Sequence, residues 1–236
     1  MDVPLHDRLE GQVFLVSGAN RGLGAQVTAE LVGLGATVYA GARDPSGIED
    51  AAEASDGRIL PVALDVTDEA SIEAAVTTAA KEGLHGIVNN AGIGDWHGTT
   101  LHTLAADRLD AVLATNLRGP MLMAKHALPH LLDQDGGRVI NVSSGMGGLA
   151  GMNGSAPTYR ISKTGINGLT AYLHGEYGMR GLISASVCPG WVRTDMGGEN
   201  ANRSPAEGAA GIVWACRMAP GAPGGRFWRD GAPIDW

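Results

Sequence analysis

The chain has 236 residues, 44% of them hydrophobic and 18% charged, and its 17 basic and 25 acidic residues give a net charge of −8 at pH 7. This length and composition fit one folded α/β domain with a sizeable core and exclude a mainly disordered chain. The acidic balance, with no cluster of Lys or Arg, argues against a nucleic acid or an anionic membrane as the partner.

The first predicted strand, 13–16, leads into a glycine-rich turn and then an apolar-periodic helix over 25–34. The turn contains Gly18, Gly22 and Gly24. Glycines let the backbone turn tightly and approach a pyrophosphate, which the N–H groups at the helix start then hold. The spacing differs from Gly-x-Gly-x-x-Gly and from the phosphate loop that ends in Gly-Lys-Ser/Thr.

The second predicted strand, 35–43, ends in a basic residue, Arg43. An acid at this strand end binds the adenosine ribose, whereas an arginine accommodates a 2′-phosphate. Arg43 and Arg21 are both placed to meet that phosphate, which favours NADPH over NADH. Two alternatives stay open: Asp44 binds a ribose hydroxyl instead, or the two arginines are solvated surface residues.

The third and fourth predicted strands cover 58–64 and 86–89, with a helix start at Thr67 between them. The fourth strand runs into the Asn-Asn-Ala-Gly sequence of 89–92. This sequence alone is consistent with a simple turn, because Asn and Gly tolerate positive φ.

A helical segment over about 107–132 contains Asn116, which is locally unfavourable within a helix. His126 and His130 on this segment are four residues apart, a spacing that suits metal ligands on a helix. Pro129 lies between them, and neither a carboxylate nor a cysteine partner is apparent in the sequence. No metal site is therefore predicted.

The fifth predicted strand, 137–142, places Ser143 and Ser144 at its carboxyl end, where ligands of open α/β sheets bind. A flexible glycine-rich loop follows, and then a helix that begins near Tyr159. On that helix Tyr159 and Lys163 lie one turn apart. A neighbouring cation lowers the pKa of a phenol, so the pair is a candidate proton donor and acceptor, although such pairs are also common by chance.

The sixth predicted strand, 183–187, runs into the sequence Cys-Pro-Gly-Trp-Val-Arg-Thr-Asp-Met of 188–196. Ser204 and Glu207 form a capping box, which predicts that a final helix starts there. The end, 225–236, is predicted as a last strand with a short tail. No repeat or linker divides the chain, so one domain over 1–236 is expected.

Seven of these motifs, in this order, resemble those of the short-chain dehydrogenase/reductase family over essentially the whole chain. The segment after the sixth strand, the Arg-Ser-Pro-x-Glu-Gly-Ala segment and the Phe-Trp-Arg-Asp-Gly-x-Pro-Ile ending are most similar to NADPH-dependent carbonyl reductases and their bacterial relatives. The resemblance implies a single-domain Rossmann-type α/β fold, a doubly wound parallel sheet with helices on both faces.

The resemblance also implies roles for individual residues. Asp65 and Val66 would contact adenine, 189–194 would hold the nicotinamide amide, and Asn116 would hold a water that links the lysine to solvent. The implied catalytic residues are Asn116, Ser144, Tyr159 and Lys163, with Ser143 as an open alternative to Ser144. The implied cofactor-binding residues are Gly18, Asn20, Arg21, Gly22, Leu23, Gly24, Arg43, Asp65, Val66, Asn90, Ala91, Gly92, Tyr159, Lys163, Pro189, Gly190, Val192 and Thr194.

The implied activity is NADPH-dependent reduction of an aldehyde or ketone, with Tyr159 as the proton donor. The alternatives are an NAD(P)⁺-dependent alcohol dehydrogenase and a non-catalytic nucleotide-sensing protein. Loops near 93–98, 144–158 and 189–204 would form the substrate site. Five side chains there either line an apolar pocket or serve in ordinary packing: Trp96, His97, Met146, Met152 and Trp191.

Cellular location and assembly are also expected from the sequence. The two cysteines, Cys188 and Cys216, are too few for a disulfide framework, and neither a signal-peptide pattern nor a membrane-length apolar run is present. A soluble cytoplasmic protein is therefore expected. Animal carbonyl reductases of this kind carry a long insertion before the tyrosine and tend to be monomeric. This chain has only a short one, so a homodimer or homotetramer is expected.

Overall fold

In the computed structural model, which describes residues 2–95 and 99–236, eight strands form one sheet. The strands are β1 (Val13–Ser17), β2 (Thr37–Ala42), β3 (Ile59–Ala63), β4 (Leu84–Asn89), β5 (Arg138–Val142), β6 (Ile183–Val187), β7 (Arg226–Arg229) and β8 (Ala232–Pro233). Their order across the sheet is β3-β2-β1-β4-β5-β6-β7-β8. All neighbouring strands are parallel except β7 and β8. Because parallel strands buried on both faces are apolar throughout, strands such as β1 are continuous hydrophobic runs.

Helices cover both faces of the sheet. They are α1 (Gly22–Gly33), α2 (Glu49–Glu53), α3 (Glu69–Ala80), α4 (Ala106–Leu113), α5 (Gly119–Leu131), α6 (Pro157–Tyr177) and α7 (Pro205–Cys216). The side chains of β1 alternate between two hydrophobic cores: Phe14 joins the core under α1 and α7, and Leu15 joins the core under α3 and α5. The predicted doubly wound α/β fold is confirmed.

The sheet order reverses direction between β1 and β4, since β2 and β3 lie on one side of β1 and the later strands on the other. At such a switch point the connections leave the sheet on opposite sides and open a crevice at the carboxyl ends of the strands. The glycine-rich turn after β1 and the Asn-Asn-Ala-Gly sequence after β4 both lie at this crevice.

Three local features differ from the sequence-based predictions. The segment predicted as one helix over 107–132 is α4 and α5 joined by a π-helical turn, Ala114–Arg118. The predicted single last strand is a hairpin of two strands, because Asp230 and Gly231 adopt positive φ angles of 52° and 74° and reverse the chain. The short helix α2 had no prediction. Among the described residues, no helix is both long enough and apolar enough to cross a membrane.

Candidate active site

A cleft of about 2100 Å³ opens at the carboxyl ends of the strands. Such a volume accommodates a ligand larger than a drug-sized molecule, which needs about 300–1,000 Å³. The predicted cofactor-binding residues all line this cleft, namely Gly18, Asn20, Arg21, Gly22, Leu23, Gly24, Arg43, Asp65, Val66, Asn90, Ala91, Gly92, Tyr159, Lys163, Pro189, Gly190, Val192 and Thr194. Met146 and Trp191 line it too, whereas Met152 does not; Trp96 and His97 lie outside the described residues.

The glycine-rich turn is closely packed against its surroundings. Gly18 and Gly22 adopt left-handed φ angles of 66° and 54°. A Cβ on Gly24 would lie 2.1 Å from the Gly18 carbonyl oxygen, so no side chain fits there. The Asn90 side-chain amide donates to the carbonyl oxygens of Ser17, at 2.9 Å, and Gly18, at 3.1 Å. The Asn-Asn-Ala-Gly sequence therefore supports the turn in the shape that a phosphate-binding loop requires.

Two arginines lie along one end of the cleft. Arg43 is exposed at the end of β2, and its charge contributes to lowering the pKa of Asp65 after the larger effect of hydrogen bonds from Thr67. Arg21 is held differently, because its Nη1 lies 2.5 Å from Asp195 Oδ2 in an exposed ion pair. The Asp44 carboxylate accepts a bond from the Ser46 backbone N–H at 3.0 Å, which caps a 3₁₀ turn.

Tyr159 and Lys163 lie on the first turns of α6 and are both buried. Tyr159 forms a hydrogen bond with Ser144, and Lys163 Nζ lies 5.6 Å from the centre of the phenol ring. The lysine Nζ also donates to the Val142 carbonyl oxygen at 2.7 Å. Strand β5 and helix α6 thus bring a hydroxyl, a phenol and an amine to one point of the cleft.

The electrostatics of this group correct the expected direction of the tyrosine pKa. Burial raises the pKa of Tyr159 to about 12, with the hydrogen bond from Ser144 acting in the opposite direction. Burial also lowers the pKa of Lys163 to about 8. The prediction of a lowered tyrosine pKa is wrong for this structure, because burial disfavours the phenolate more than its polar neighbours favour it.

The two adjacent serines have different environments. Ser143 also lines the cleft, but its hydroxyl is buried and donates to the Asn167 side-chain oxygen at 2.7 Å. Ser144 lines the cleft, bonds Tyr159 and accepts from the Met146 N–H at 3.1 Å. Of the two, Ser144 is the one that the structure places beside the tyrosine.

Asn116 lies in the π-helical turn and is fully buried. Its side chain accepts from the Ile93 N–H at 2.9 Å and donates to the Ile93 carbonyl oxygen at 2.8 Å and to Ser162 Oγ at 3.1 Å. A Cβ on Gly92 would lie 3.4 Å from Asn116 Oδ1 and 3.7 Å from Lys163 Nζ. The asparagine is therefore near the lysine, and its polar atoms are engaged in holding the neighbouring loop. π-Helical turns frequently occur at functional sites.

Three polar residues near Tyr159 and Ser144 had no predicted site role. Cys188 Sγ accepts bonds from the Gly145 N–H at 3.1 Å and from Arg229 Nη2 at 3.0 Å, and both side chains line the cleft. Asp95 is buried and accepts bonds from the backbone N–H groups of α6. Cys188 and Arg229 could have been identified from the sequence by their positions at strand ends. The contact of Asp95 with α6 could not, because no sequence pattern near Asp95 indicates it.

One of the two histidines of α5, His126, has a carboxylate neighbour that the sequence did not reveal. His126 Nε2 lies 3.1 Å from Glu69 Oε1, and the same oxygen lies 2.6 Å from Lys125 Nζ. This arrangement is an ion-pair cluster between α3 and α5. Within the ranges 2–95 and 99–236, no three His, Cys, Asp or Glu side chains are grouped to hold a metal ion.

Comparison with known proteins shows close relatives. A family model described as short chain dehydrogenase matches residues 12–204. The 3-oxoacyl-(acyl-carrier-protein) reductase of Vibrio harveyi is 35% identical over 190 residues, which cover 80% of this chain and 76% of the relative. A 2-(R)-hydroxypropyl-CoM dehydrogenase of Xanthobacter autotrophicus is 32% identical over 192 residues, covering 78% and 76% of the two chains.

Among solved structures, the NADPH-bound carbonyl reductase from chicken fatty liver superposes with a TM-score of 0.88 at 29% identity. The alignment covers 98% of this chain and 96% of the chicken chain. The similarity therefore extends over nearly the whole length of both chains.

Proposed function

The chain belongs to the short-chain dehydrogenase/reductase family of NAD(P)-dependent oxidoreductases, and from this we propose that it reduces an aldehyde or ketone to an alcohol with NADPH. The observation that carries the proposal is the Ser144–Tyr159 hydrogen bond beside buried Lys163, in the same cleft as the glycine-rich turn. This arrangement supplies hydrogen-bond donors to a carbonyl oxygen next to a dinucleotide site.

The residues present fit a dinucleotide. Gly24 leaves no room for a side chain where the helix N-terminus would approach a pyrophosphate, and Asp65 and Val66 line the cleft beyond the end of β3. Pro189, Gly190 and the neighbouring residues 192 and 194 line the cleft near the tyrosine. We infer that the first group holds the adenosine diphosphate half and the second the nicotinamide half. When bound, the cofactor supplies the hydride.

Tyr159 acts as the proton donor to the carbonyl oxygen. A phenol with a pKa of about 12 is protonated at neutral pH, which suits donation and the reductive direction. Ser144, which is hydrogen-bonded to Tyr159, donates to the same substrate carbonyl oxygen. Its hydroxyl thereby stabilises the negative charge that develops on that oxygen. One such preorganised donor is worth about 3–4 kcal/mol of transition-state stabilisation.

Lys163 stabilises the negative charge that Tyr159 acquires after it gives up the proton. With a pKa of about 8, the lysine is mostly charged at pH 7, and its Nζ lies 5.6 Å from the phenol ring. The same amine would bind the nicotinamide ribose. In the proposed scheme, Asn116 holds a water that links the Lys163 amine to solvent. This water completes the path by which a proton returns to Tyr159.

The preference for NADPH rests on Arg43 and Arg21, which line the cleft where β2 ends and α1 begins. The chicken relative is described as NADPH-bound. The test is a fluorescence titration of NADPH and NADH against wild type and Arg43→Asp, with Arg58→Asp, an exposed change outside the cleft lining, as the control. We expect the Kd for NADPH to rise at least tenfold in Arg43→Asp alone, with little change for NADH. Equal NADPH binding in all three proteins would refute the assignment.

An oxidative alcohol dehydrogenase is the second candidate, since the Xanthobacter relative is a dehydrogenase. The same residues serve either direction, with the tyrosine as the base. Initial rates at pH 7 distinguish the reductase from the dehydrogenase. The rates of reduction of a panel of aldehydes and ketones with NADPH are compared with the rates of oxidation of the corresponding alcohols with NADP⁺ or NAD⁺. Faster turnover of alcohols with NAD⁺ would reject the reductase proposal in favour of the dehydrogenase.

We further infer a homodimer or homotetramer that assembles through α5 and α6. Their outer faces form an apolar groove in which Met121 is 51% exposed and Tyr172 is 59% exposed. Light scattering coupled to gel filtration measures the mass directly, and a mass of 24 kDa would reject assembly. A cytoplasmic location stays a prediction from the sequence.

A further inference from the structure

Helix α6, which carries Tyr159 and Lys163, begins in an unusual way. The chain enters it through Ser155 and Ala156, two non-glycine residues with left-handed φ angles of 70° and 47°. Ala156 occupies the N-cap position and has no side chain that can accept a hydrogen bond. The first N–H groups of a 21-residue helix therefore need an acceptor from elsewhere in the chain.

Asp95 supplies that acceptor from a different loop. One carboxylate oxygen accepts from the Thr158 N–H at 2.9 Å and the other accepts from the Tyr159 N–H at 3.1 Å. The aspartate is only 4% exposed. In the described part of the chain, no cationic side chain lies within ion-pair distance of it. The two N–H groups at the helix N-terminus therefore offset the cost of burying the Asp95 carboxylate. A negative charge at this position also stabilises the helix.

The loop that carries Asp95 is itself fixed on both sides. Asn116 holds the backbone of Ile93 through two hydrogen bonds, at 2.9 and 2.8 Å. The next carbonyl, of Gly94, accepts a bond from Arg108, and the Asp95 carbonyl accepts one from Thr99 Oγ1 at 2.9 Å. The carboxylate is therefore anchored to the Asn-Asn-Ala-Gly side of the cleft while it binds the first turn of α6.

Resting on the proposed function, we propose that Asp95 is a positioning residue that fixes the first turn of α6 and thereby the place of the Tyr159 hydroxyl in the cleft. One of its two bonds goes to the backbone of the tyrosine itself. Without them, the strained entry at 155 and 156 is free to relax, and the helix start shifts or frays. A misplacement of about 1 Å at a reacting group costs as much as about 100-fold in rate.

The expected effect is a loss in kcat with little loss in cofactor binding, because Asp95 does not line the cleft and its carboxylate bonds go to α6. Asp95→Ala should lower kcat for carbonyl reduction by about 10- to 100-fold. Asp95→Asn should lower it less, because one oxygen still accepts a bond, and this near-isosteric variant carries the test if Asp95→Ala does not fold. Asp68→Ala is the matched control, since the Asp68 carboxylate caps a different helix, α3, through the Ala70 N–H at 3.1 Å and does not line the cleft.

The experiment combines steady-state kinetics, NADPH titration and amide hydrogen exchange at Thr158 and Tyr159 by NMR. We expect exchange at these two amides to accelerate at least tenfold in Asp95→Ala but not in Asp68→Ala, with the NADPH Kd within twofold of wild type. Unchanged exchange, an unchanged kcat, or a parallel loss of kcat and NADPH affinity would each overturn the proposal.

Two readouts separate this inference from the proposed function. The exchange measurement does not depend on any activity, so it decides whether Asp95 holds the helix start even if no carbonyl is reduced. Tyr159→Phe is assayed in parallel. If Tyr159→Phe keeps wild-type turnover, the proposed function fails. If it loses turnover while the Asp95 variants match Asp68→Ala, only the positioning role fails.

Discussion

The buried amine of Lys163 makes a prediction about stability that is independent of the substrate. Burial lowers its pKa from 10.5 to about 8. Since one pKa unit corresponds to about 1.4 kcal/mol, the folded protein bears a cost of about 3 kcal/mol to keep this side chain charged below pH 8. Replacement by methionine removes that cost, but it also removes the donor to the Val142 carbonyl, a loss of about 1–2 kcal/mol.

The pH dependence gives the sharper test. Between pH 8 and 10.5 the folded protein has released the Lys163 proton and the unfolded chain still holds it, so wild-type stability from this group rises with pH. Lys163→Met should be more stable than wild type by about 1–2 kcal/mol at pH 7, and by pH 10 this advantage should fall by about 2–3 kcal/mol. Contributions of titratable groups that do not interact with Lys163 cancel in the difference between the two proteins.

Urea denaturation of both proteins at the two pH values measures this difference. Lys81→Met, an exposed lysine at the end of α3, is the control and should change stability by less than about 0.5 kcal/mol at either pH. A stability difference between Lys163→Met and wild type that is the same at pH 7 and pH 10 would refute the reasoning.

Three further outcomes are expected. Gly24→Ala should weaken NADPH binding at least tenfold in a titration, because its Cβ would lie 2.1 Å from the Gly18 carbonyl oxygen. Gly33→Ala on the same helix is the control, because nothing lies within 4 Å of its Cβ position. This control should bind NADPH normally and gain about 0.5–1 kcal/mol of stability. Ser144→Ala should lower kcat by about 10²–10³-fold, and a loss under threefold would contradict its role. The kcat of reduction should fall as pH rises through about 8, where Lys163 loses its charge, and a flat profile from pH 6 to 10 would contradict this.

Much of the cleft lining around the glycine-rich turn was predictable because close backbone packing constrains the residue type. The Gly18 carbonyl oxygen would lie 2.1 Å from a Cβ at position 24, so only glycine fits there. A requirement of this kind leaves a glycine pattern that can be recognised in the sequence. The carboxyl ends of parallel strands share one edge of the sheet, so Ser143 and Ser144 were expected on the ligand-binding side. The resemblance to the short-chain dehydrogenase/reductase family is confirmed by the family model over residues 12–204.

The properties that the sequence did not reveal depend on burial and on contacts between distant segments. The spacing of Tyr159 and Lys163 predicted their proximity, but the predicted lowering of the tyrosine pKa was wrong, because the direction depends on how deeply the phenol is buried. The bonds from Asp95 to α6 join residues 63 and 64 positions apart and have no periodicity or cap signature in either segment. The π-helical turn that contains Asn116, Ala114–Arg118, interrupts a segment whose sequence pattern is that of a regular helix.

The central claim is that Tyr159 protonates a carbonyl oxygen in an NADPH-dependent reduction. The most direct measurement is the single-turnover rate of NADPH oxidation by an aldehyde or ketone for Tyr159→Phe, with Tyr172→Phe, an exposed tyrosine on the same helix, as the control. We predict that Tyr159→Phe loses at least about 10²–10³-fold in this rate and keeps the wild-type Kd for NADPH, whereas Tyr172→Phe matches wild type. A Tyr159→Phe rate within tenfold of wild type would contradict the account.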